Sequence, residues 1–487
     1  MLRRNGVSHR LMKSKSKRTA PPHPVRVRPG AAMPVRVVDR LKSRNNRNHR
    51  KNRKGSSCIA NSGRRSRHVY PSFSKNIMSW IKQLEFELLW PFYASYLIQS
   101  VFLLTTAYWV VYFLNIGYSL TQISLLPTIM LLTSLILELP TGFLADIKGR
   151  KRSVVTAIFL EASAIALIPF IGLRFEILIV LHILMGVGVA LASGASEAWV
   201  VDFLHWHTKQ KAIPSYYATL YSLINIGFII APILASAIFI LTGALHYLWW
   251  IEGIMLFGAG LILAVFGKEE RAKQEQSKLT MASLYQKMIA QFRNRPILML
   301  MAVVIFLLGI IFGVTTLAWQ PFLQAKGVPL AWFGVLFAFT GTLAITYPIV
   351  QKTALTRIGN RRLLQFISIV QMIAFGVLVA IPFVGTIILF FLLQNLDSIK
   401  IPIFQPWFQE HVPSALRSTL GSTVAMAGAI GESVGYILAG QLAARFGFSV
   451  VWWSVSGLCA LTVVALMLIR HMNDRIYSND QIPLQPN

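Results

Sequence analysis

From residue 91 to residue 471 the chain is a succession of apolar runs separated by short polar turns. This property constrains the fold more than any other. A bilayer-spanning helix needs about 20 predominantly apolar residues, and the sequence supplies such runs twelve times. They lie near 91–115, 122–145, 153–173, 176–200, 215–241, 247–267, 296–322, 329–353, 362–382, 385–408, 418–443 and 448–471. With 55% hydrophobic and only 13% charged residues over 487 positions, the apolar surface is too large to hide in a water-soluble fold. The expected class is an all-α polytopic membrane protein with twelve transmembrane helices.

The net charge of +29 points to nucleic acid until its position is considered. Residues 1–77 hold 22 of the 47 Lys and Arg and a single acid, Asp39. The segment has no apolar periodicity and is rich in Arg, Asn, Ser and Pro, so it cannot bury enough apolar area to offset its ordering entropy. It reads as a disordered basic tail. Attraction to anionic lipid, a transit peptide and translation starting at Met78 all remain open for it. RNA binding fits less well, because aromatic side chains for base stacking are almost absent. No nucleic acid is expected at the apolar core.

Several other classes are disfavoured. There is no G-x-x-x-x-G-K-[ST] phosphate loop, so nothing here is built to hydrolyse ATP. "GVGVALASG" (186–194) lies inside a spanning run with no strand before it. Cys58 and Cys459 form no metal or redox spacing, and no catalytic constellation converges. Neither cofactor nor metal is expected, and the chain reads as a monomer.

Loop charge sets an expected orientation. One side receives the turn after run 2, Lys209 and Lys211, seven bases in 268–295, the bases at 352–362, Arg417 and Arg475. The other receives only Arg174, Lys326 and Arg445. Both termini are therefore expected on the cytoplasmic side of a plasma or inner membrane. The expected division is a tail (1–77), a six-helix bundle (78–267), a linker (268–295), a second six-helix bundle (296–471) and a C-terminal tail (472–487).

The two halves repeat. "TTAYWVVYFLNIGYSL" (105–120) aligns with "TTLAWQPFLQAKGVPL" (315–330) at an offset of 210 residues, and the same offset carries Gly149 to Gly359. "IPSYYATLYS" (213–222) answers "VPSALRSTLGS" (412–422). Parallel six-helix repeats are the signature of a two-bundle transporter whose site lies where the halves meet.

The charged turn "LELPTGFLADIKGRKRSV" (137–154) carries G-x-x-x-D-x-x-G-R-K-R, matched by Gly142, Asp146, Gly149, Arg150, Lys151 and Arg152. On this motif, the helix count and the duplicated turn, the chain resembles the major facilitator superfamily over about residues 85–471. "LPTGFLAD" and "SGASEAWVVDFL" (193–204) look most like prokaryotic members. In the second half Thr356 and Lys352 replace the motif's Asp and first Gly, and run 5 lacks the G-P-x-x-G-G of drug–proton antiporters. The resemblance implies a cytoplasmic latch of Asp146, Arg150, Asp202 and Arg417, with Asp146 facing the start of run 11 where a helix dipole favours an anion. Gly142 is expected to allow close helix approach, and Gly149 to serve the tight turn.

An ionised residue at the bilayer centre costs roughly 2.5–3.5 kcal/mol on insertion scales, so each one needs a reason. Asp397 and Lys400, spaced i, i+3 in run 10, read as a mutually neutralising pair or a polar element of the cavity. Glu197 reads as a substrate or proton carboxylate, or as part of the latch. Glu138, Glu161 and Glu432 read mainly as structural acids, with a proton-carrying role as the alternative, and Glu252 is expected near the outer surface. Trp109 and Tyr112 in run 1 and Trp319 and Gln320 in run 7 suit an amphipathic solute, or ordinary packing. Gly186, Ala190, Gly194 and Ala198, like Gly431, Gly435 and Ala439, read as small-residue ridges for helix packing.

The leading expectation is a secondary active transporter of a small amphipathic molecule, working by alternating access, with proton-driven export as the form considered. The alternative is a transporter-shaped receptor that binds its ligand without moving it. One carries flux and the other does not.

Overall fold

A computed structural model describes residues 73–270, 296–344, 358–381, 383–412 and 417–479, and among them every regular element is helical. The first run is α1 (Phe73–Val101), a 3-10 turn at Thr105–Ala107 and α2 (Trp109–Ile116). Runs 2 and 3 are α3 (Leu120–Lys148) and α4 (Arg150–Leu167). Run 4 divides into α5 (Phe175–Ala192) and α6 (Ala195–Trp206), and α7 (Ile213–Thr242) and α8 (His246–Phe266) complete the first half. The second half comprises α9 (Pro296–Ala325), α10 (Phe333–Ala344), α11 (Asn360–Val377), α12 (Phe383–His411), α13 (Arg417–Phe446) and α14 (Phe448–Asn479). The fourteen helices make twelve spans, because two spans are broken. The first helix begins at Phe73, so the boundary expected at residue 77 falls inside it.

Among the described residues nine helices are long and apolar enough to cross a membrane. The other three spans have reasons to fall short. α10 runs into residues outside the described set, α11 carries Arg361, Arg362, Gln365 and Gln371, and α12 carries Asp397 and Lys400.

The sequence repeat recurs in the backbone. Gly117 closes α2 at φ 114°, and Gly327, 210 residues later, follows α9 at φ 85°. Gly149 (φ 111°, ψ 139°) opens α4, and Gly359 (φ 82°, ψ 151°) opens α11. These conformations are inexpensive only for glycine. Between them, Ser119 and Gln122 form a capping box that starts α3, satisfying donors a helix terminus otherwise leaves free.

Glycines bring selected helices backbone to backbone. Gly309 and Gly313 of α9 face Gly428 and Glu432 of α13, while Gly431 and Gly435 of α13 face Phe306 and Ile310 of α9. In the first half Gly186 fits beneath Met130 and Thr133 of α3. Two ridge expectations change. Gly194 has φ 68° and no neighbour for a Cβ; it is the break between α5 and α6 rather than a packing position. A Cβ at Gly142 likewise meets nothing within 4 Å.

The apolar core is asymmetric along the bundle axis. One cluster of buried residues is continuous across both halves, including Tyr108, Phe113 and Trp249 of the first and Trp319, Phe333 and Trp452 of the second. It lies at the end opposite the 142–152 turn. At the motif end the core is two clusters, one per bundle: Phe92, Trp199 and Phe203 centre the first, Phe404, Phe408 and Leu466 the second. Among the described residues, then, the bundles share a core at one end only.

Candidate functional site

A helix interrupted within a low-dielectric fold leaves backbone donors and acceptors that must be satisfied. At the break in the first span, distant side chains meet that need. The Thr105 N–H donates to Oε2 of Glu252 at 2.8 Å. The Val110 and Val111 N–H groups both donate to Oε1 of Gln320, at 2.9 and 3.2 Å, and the Gln320 amide donates to the Thr106 carbonyl at 3.1 Å. Glu252 and Gln320 are 2% and 0% exposed. Glu252, near the start of α8 at the end opposite the motif, is a buried cap. Gln320 comes from the other bundle, so the second half caps a helix of the first.

Further contacts seal the same end. The Tyr108 hydroxyl lies 2.9 Å from Ser236 Oγ, donates to the Leu330 carbonyl at 3.1 Å and accepts from the Gly334 N–H at 3.2 Å. Gly334 of α10 lies against Pro232 and Ser236 of α7, leaving no room for a Cβ. Thr128 of α3 donates to the Ser433 carbonyl at 3.3 Å, and a Cβ added at Gly440 would lie 2.6 Å from Ser124 Cβ.

The same helix faces are uncovered toward the motif end. At 3.6 residues per turn, positions 18 apart share a direction, so Gly142 and Asp146 continue the face that Ser124 and Thr128 present to α13. Glu138 lies within about 40° of Ser124's direction. Glu138 and Asp146 are exposed, Asp146 at 57%. On α7, Tyr221 lies within about 20° of Pro232's direction and is 56% exposed.

The charged turn is held within the first bundle. The Arg150 guanidinium pairs with Asp202, donates to the Ala198 carbonyl at 2.9 Å and lies 3.5 Å from Asp146. The Arg150 N–H donates to Glu269 at 2.6 Å, capping α4, and Lys151 donates to the Gly267 carbonyl at 2.7 Å. Sequence reasoning missed Glu269. It stands at the start of a charged linker, where nothing in its spacing marks a helix cap. The Arg417 side chain lies outside the described residues.

The expected cavity residues separate. Trp109 is partly buried and meets Tyr436 of the other bundle edge-on, with ring centroids 6.5 Å apart. Tyr112 instead packs with Phe113 and Trp249 inside the first bundle. Trp319 packs among Phe333, Phe337, Phe390 and Phe391 inside the second. Both are core residues, and Gln320 belongs to the seal. Tyr112 and Trp319 take the packing alternative, because aromatic and polar residue types alone do not tell a core-facing side chain from a cavity-facing one.

Glu197 sits in the first turn of α6, where an acid complements the helix dipole, and accepts from the Tyr217 hydroxyl at 3.1 Å. Glu138, read as a structural acid, is exposed and accepts from Ser193 Oγ at 3.3 Å. The break at Gly194 thus brings Ser193 and Glu197 to one place. Glu432, midway along α13, accepts from the Tyr436 hydroxyl at 2.8 Å. Lys400 is 2% exposed, and the Asp397 side chain lies outside the described residues. Among the described residues no group of three His, Cys, Asp or Glu is placed to hold a metal.

Two six-helix bundles that share a core at one end are the architecture of a membrane transporter. Residues 83–434 match the family model of the Major Facilitator Superfamily, and the chain belongs to that superfamily. It is 23% identical over 373 residues to the uncharacterized MFS-type transporter YxaM of Bacillus subtilis (strain 168), covering 75% of this chain and 92% of that one. Among solved structures it is similar to the nucleoside transporter NupG, with a TM-score of 0.66 and 16% identity over 78% of this chain and 98% of that one. It is also similar to a bacterial homologue of the lysosomal transporter Spinster, with a TM-score of 0.62 and 11% identity over 79% and 96%. The protein is a multi-pass membrane protein of the secondary transporter class.

Proposed function

We propose that the chain moves a small organic solute by alternating access and that the arrangement described is its inward-open state. The observation that carries this is the core asymmetry: one apolar cluster shared by both bundles at one end, two separate clusters at the motif end. Loop charge assigns the motif end to the cytoplasm. The opening then faces inward and the Gln320–Tyr108 seal faces outward. The Spinster homologue it resembles was itself captured in an inward-facing, occupied conformation.

In the alternate state the uncovered face of α3 closes on α13. Gly142, with no neighbour here, gains one, and exposed Asp146 reaches the start of α13 beside Arg417. Arg150 and Asp202, already paired, hold the turn rigid for that docking. The solute's place is the roof of the opening, beneath the seal, where Trp109 of one bundle meets Tyr436 of the other and Tyr436 donates to Glu432.

The test is flux. The full chain in proteoliposomes should give saturable, concentration-driven movement of a screened solute, and a proton gradient imposed in either direction separates coupled from uncoupled transport. Saturable binding with no flux under any gradient would reduce the protein to a receptor.

A further inference from the structure

Among the described residues, three carboxylates lie along the opening, on α13, α6 and α3. Glu432 lies one helical turn nearer the motif end than Tyr436, and its half-buried carboxylate accepts from the Tyr436 hydroxyl on the motif side of the Trp109–Tyr436 contact. Further down, Glu197 and Glu138 are exposed carboxylates. Tyr217 donates to Glu197 and stacks on the Tyr221 ring at 6.4 Å, while Glu138 accepts from Ser193. At comparable depth Lys400 is buried, and the motif bases Arg150 and Lys151 are engaged by Asp202 and by backbone carbonyls. Ionised carboxylates at this depth cost free energy unless a counter-charge arrives or a proton neutralises them. Aromatic faces beside them attract cations and apolar bulk together.

Resting on the transporter reading above, we propose that the solute is an organic cation with aromatic or aliphatic bulk, held at the roof by Glu432 between Tyr436 and Trp109. Glu197 and Glu138, with Tyr217 and Tyr221, form a second, weaker station on its path. The roof site combines both bundles, so occupying it reports on their closure.

The experiment uses two probes of one shape and opposite charge, tetraphenylphosphonium and tetraphenylborate, with the full chain in phosphatidylcholine nanodiscs and empty nanodiscs subtracted. The phosphonium should bind saturably and the borate should not. Glu432→Gln should weaken phosphonium binding about tenfold or more, Glu432→Asp should retain most of it, and Glu197→Gln should weaken it by about threefold. Equal binding of both ions, no saturable phosphonium binding, or unchanged affinity in Glu432→Gln would overturn the assignment. If Glu432→Gln fails to fold, the unmodified chain with the two ions and the exposed Glu197→Gln variant still decide. Charge-selective binding without phosphonium flux would refute transport while leaving the cation assignment standing. Flux of a neutral or anionic solute that survives Glu432→Gln would do the reverse.

Discussion

At the scale of single residues, Gln320 and Glu252 matter because each satisfies backbone donors that a broken helix leaves open. Replacing Gln320 with Leu keeps much of the volume but strands the Val110 and Val111 N–H groups and the Thr106 carbonyl. A buried unsatisfied polar group costs roughly 1–3 kcal/mol. The cost falls only on the state in which the bundles touch at this end. Gln320→Leu should therefore shift the conformational equilibrium by about 2 kcal/mol, or roughly thirtyfold, toward separation there. Spin-label distances across the end opposite the motif should lengthen, and unchanged distances would remove Gln320 from the gate. Glu252 behaves differently, because its partner Thr105 lies in its own bundle. Glu252→Gln keeps an acceptor and should be tolerated, whereas Glu252→Ala should cost about 1–3 kcal/mol. That loss should appear as faster thermal inactivation in detergent with no change in the distance distribution.

At the scale of elements, glycines with different jobs predict different phenotypes. Gly313 presses on the Glu432 carbonyl and Gly149 holds a positive φ, so alanine at either should destabilise the fold, by roughly 1–3 kcal/mol at position 149. Gly142 has open space, and Gly142→Ala should leave the stability of this state within about 0.5 kcal/mol. If α3 closes on α13 in the alternate state, the same methyl obstructs that closure. Transport should then fall while thermal stability holds, and normal transport would show that the 142 face never docks. Much of this layer was legible from sequence. The apolar runs placed all twelve spans, and the 210-residue offset anticipated the paired conformations of Gly117 with Gly327 and Gly149 with Gly359. The break at 102–108 was not legible because apolar content runs nearly through it, and the S-G-A-S-E stretch at 193–197 reads as a small-residue ridge and not as a break. What permits them is long-range capping by Glu252 and Gln320 and one positive-φ glycine. The candidate site divided likewise: the Arg150–Asp202 pair followed from the motif. Which of Trp109, Tyr112 and Trp319 meets the opening depends on helix rotation, and residue type does not encode it.

At the scale of the whole molecule, among the described residues one shared core stands opposite two separate ones. A rocking transporter must trade that shared core for an equivalent one at the other end, because exposed apolar surface at either gate is uphill. A covalent tether across the sealed end should forbid the trade. Position 440 accepts no Cβ without pressing on Ser124, so Ser124→Cys with Gly440→Cys brings two sulfurs within bridging reach after a small backbone adjustment. Cys459 is buried and does not compete. Oxidation should trap the arrangement described here, lowering flux to background, and a reductant should restore it. Because the tether lies above the roof site, phosphonium binding from the motif side should survive while transport is lost. That split between preserved binding and lost flux separates locking from damage: a misfolded pair loses both. A pair that is fully oxidised on a gel and still transports at the rate of its reduced form would show that the seal at 124–440 never opens, and with it the rocking mechanism would fail.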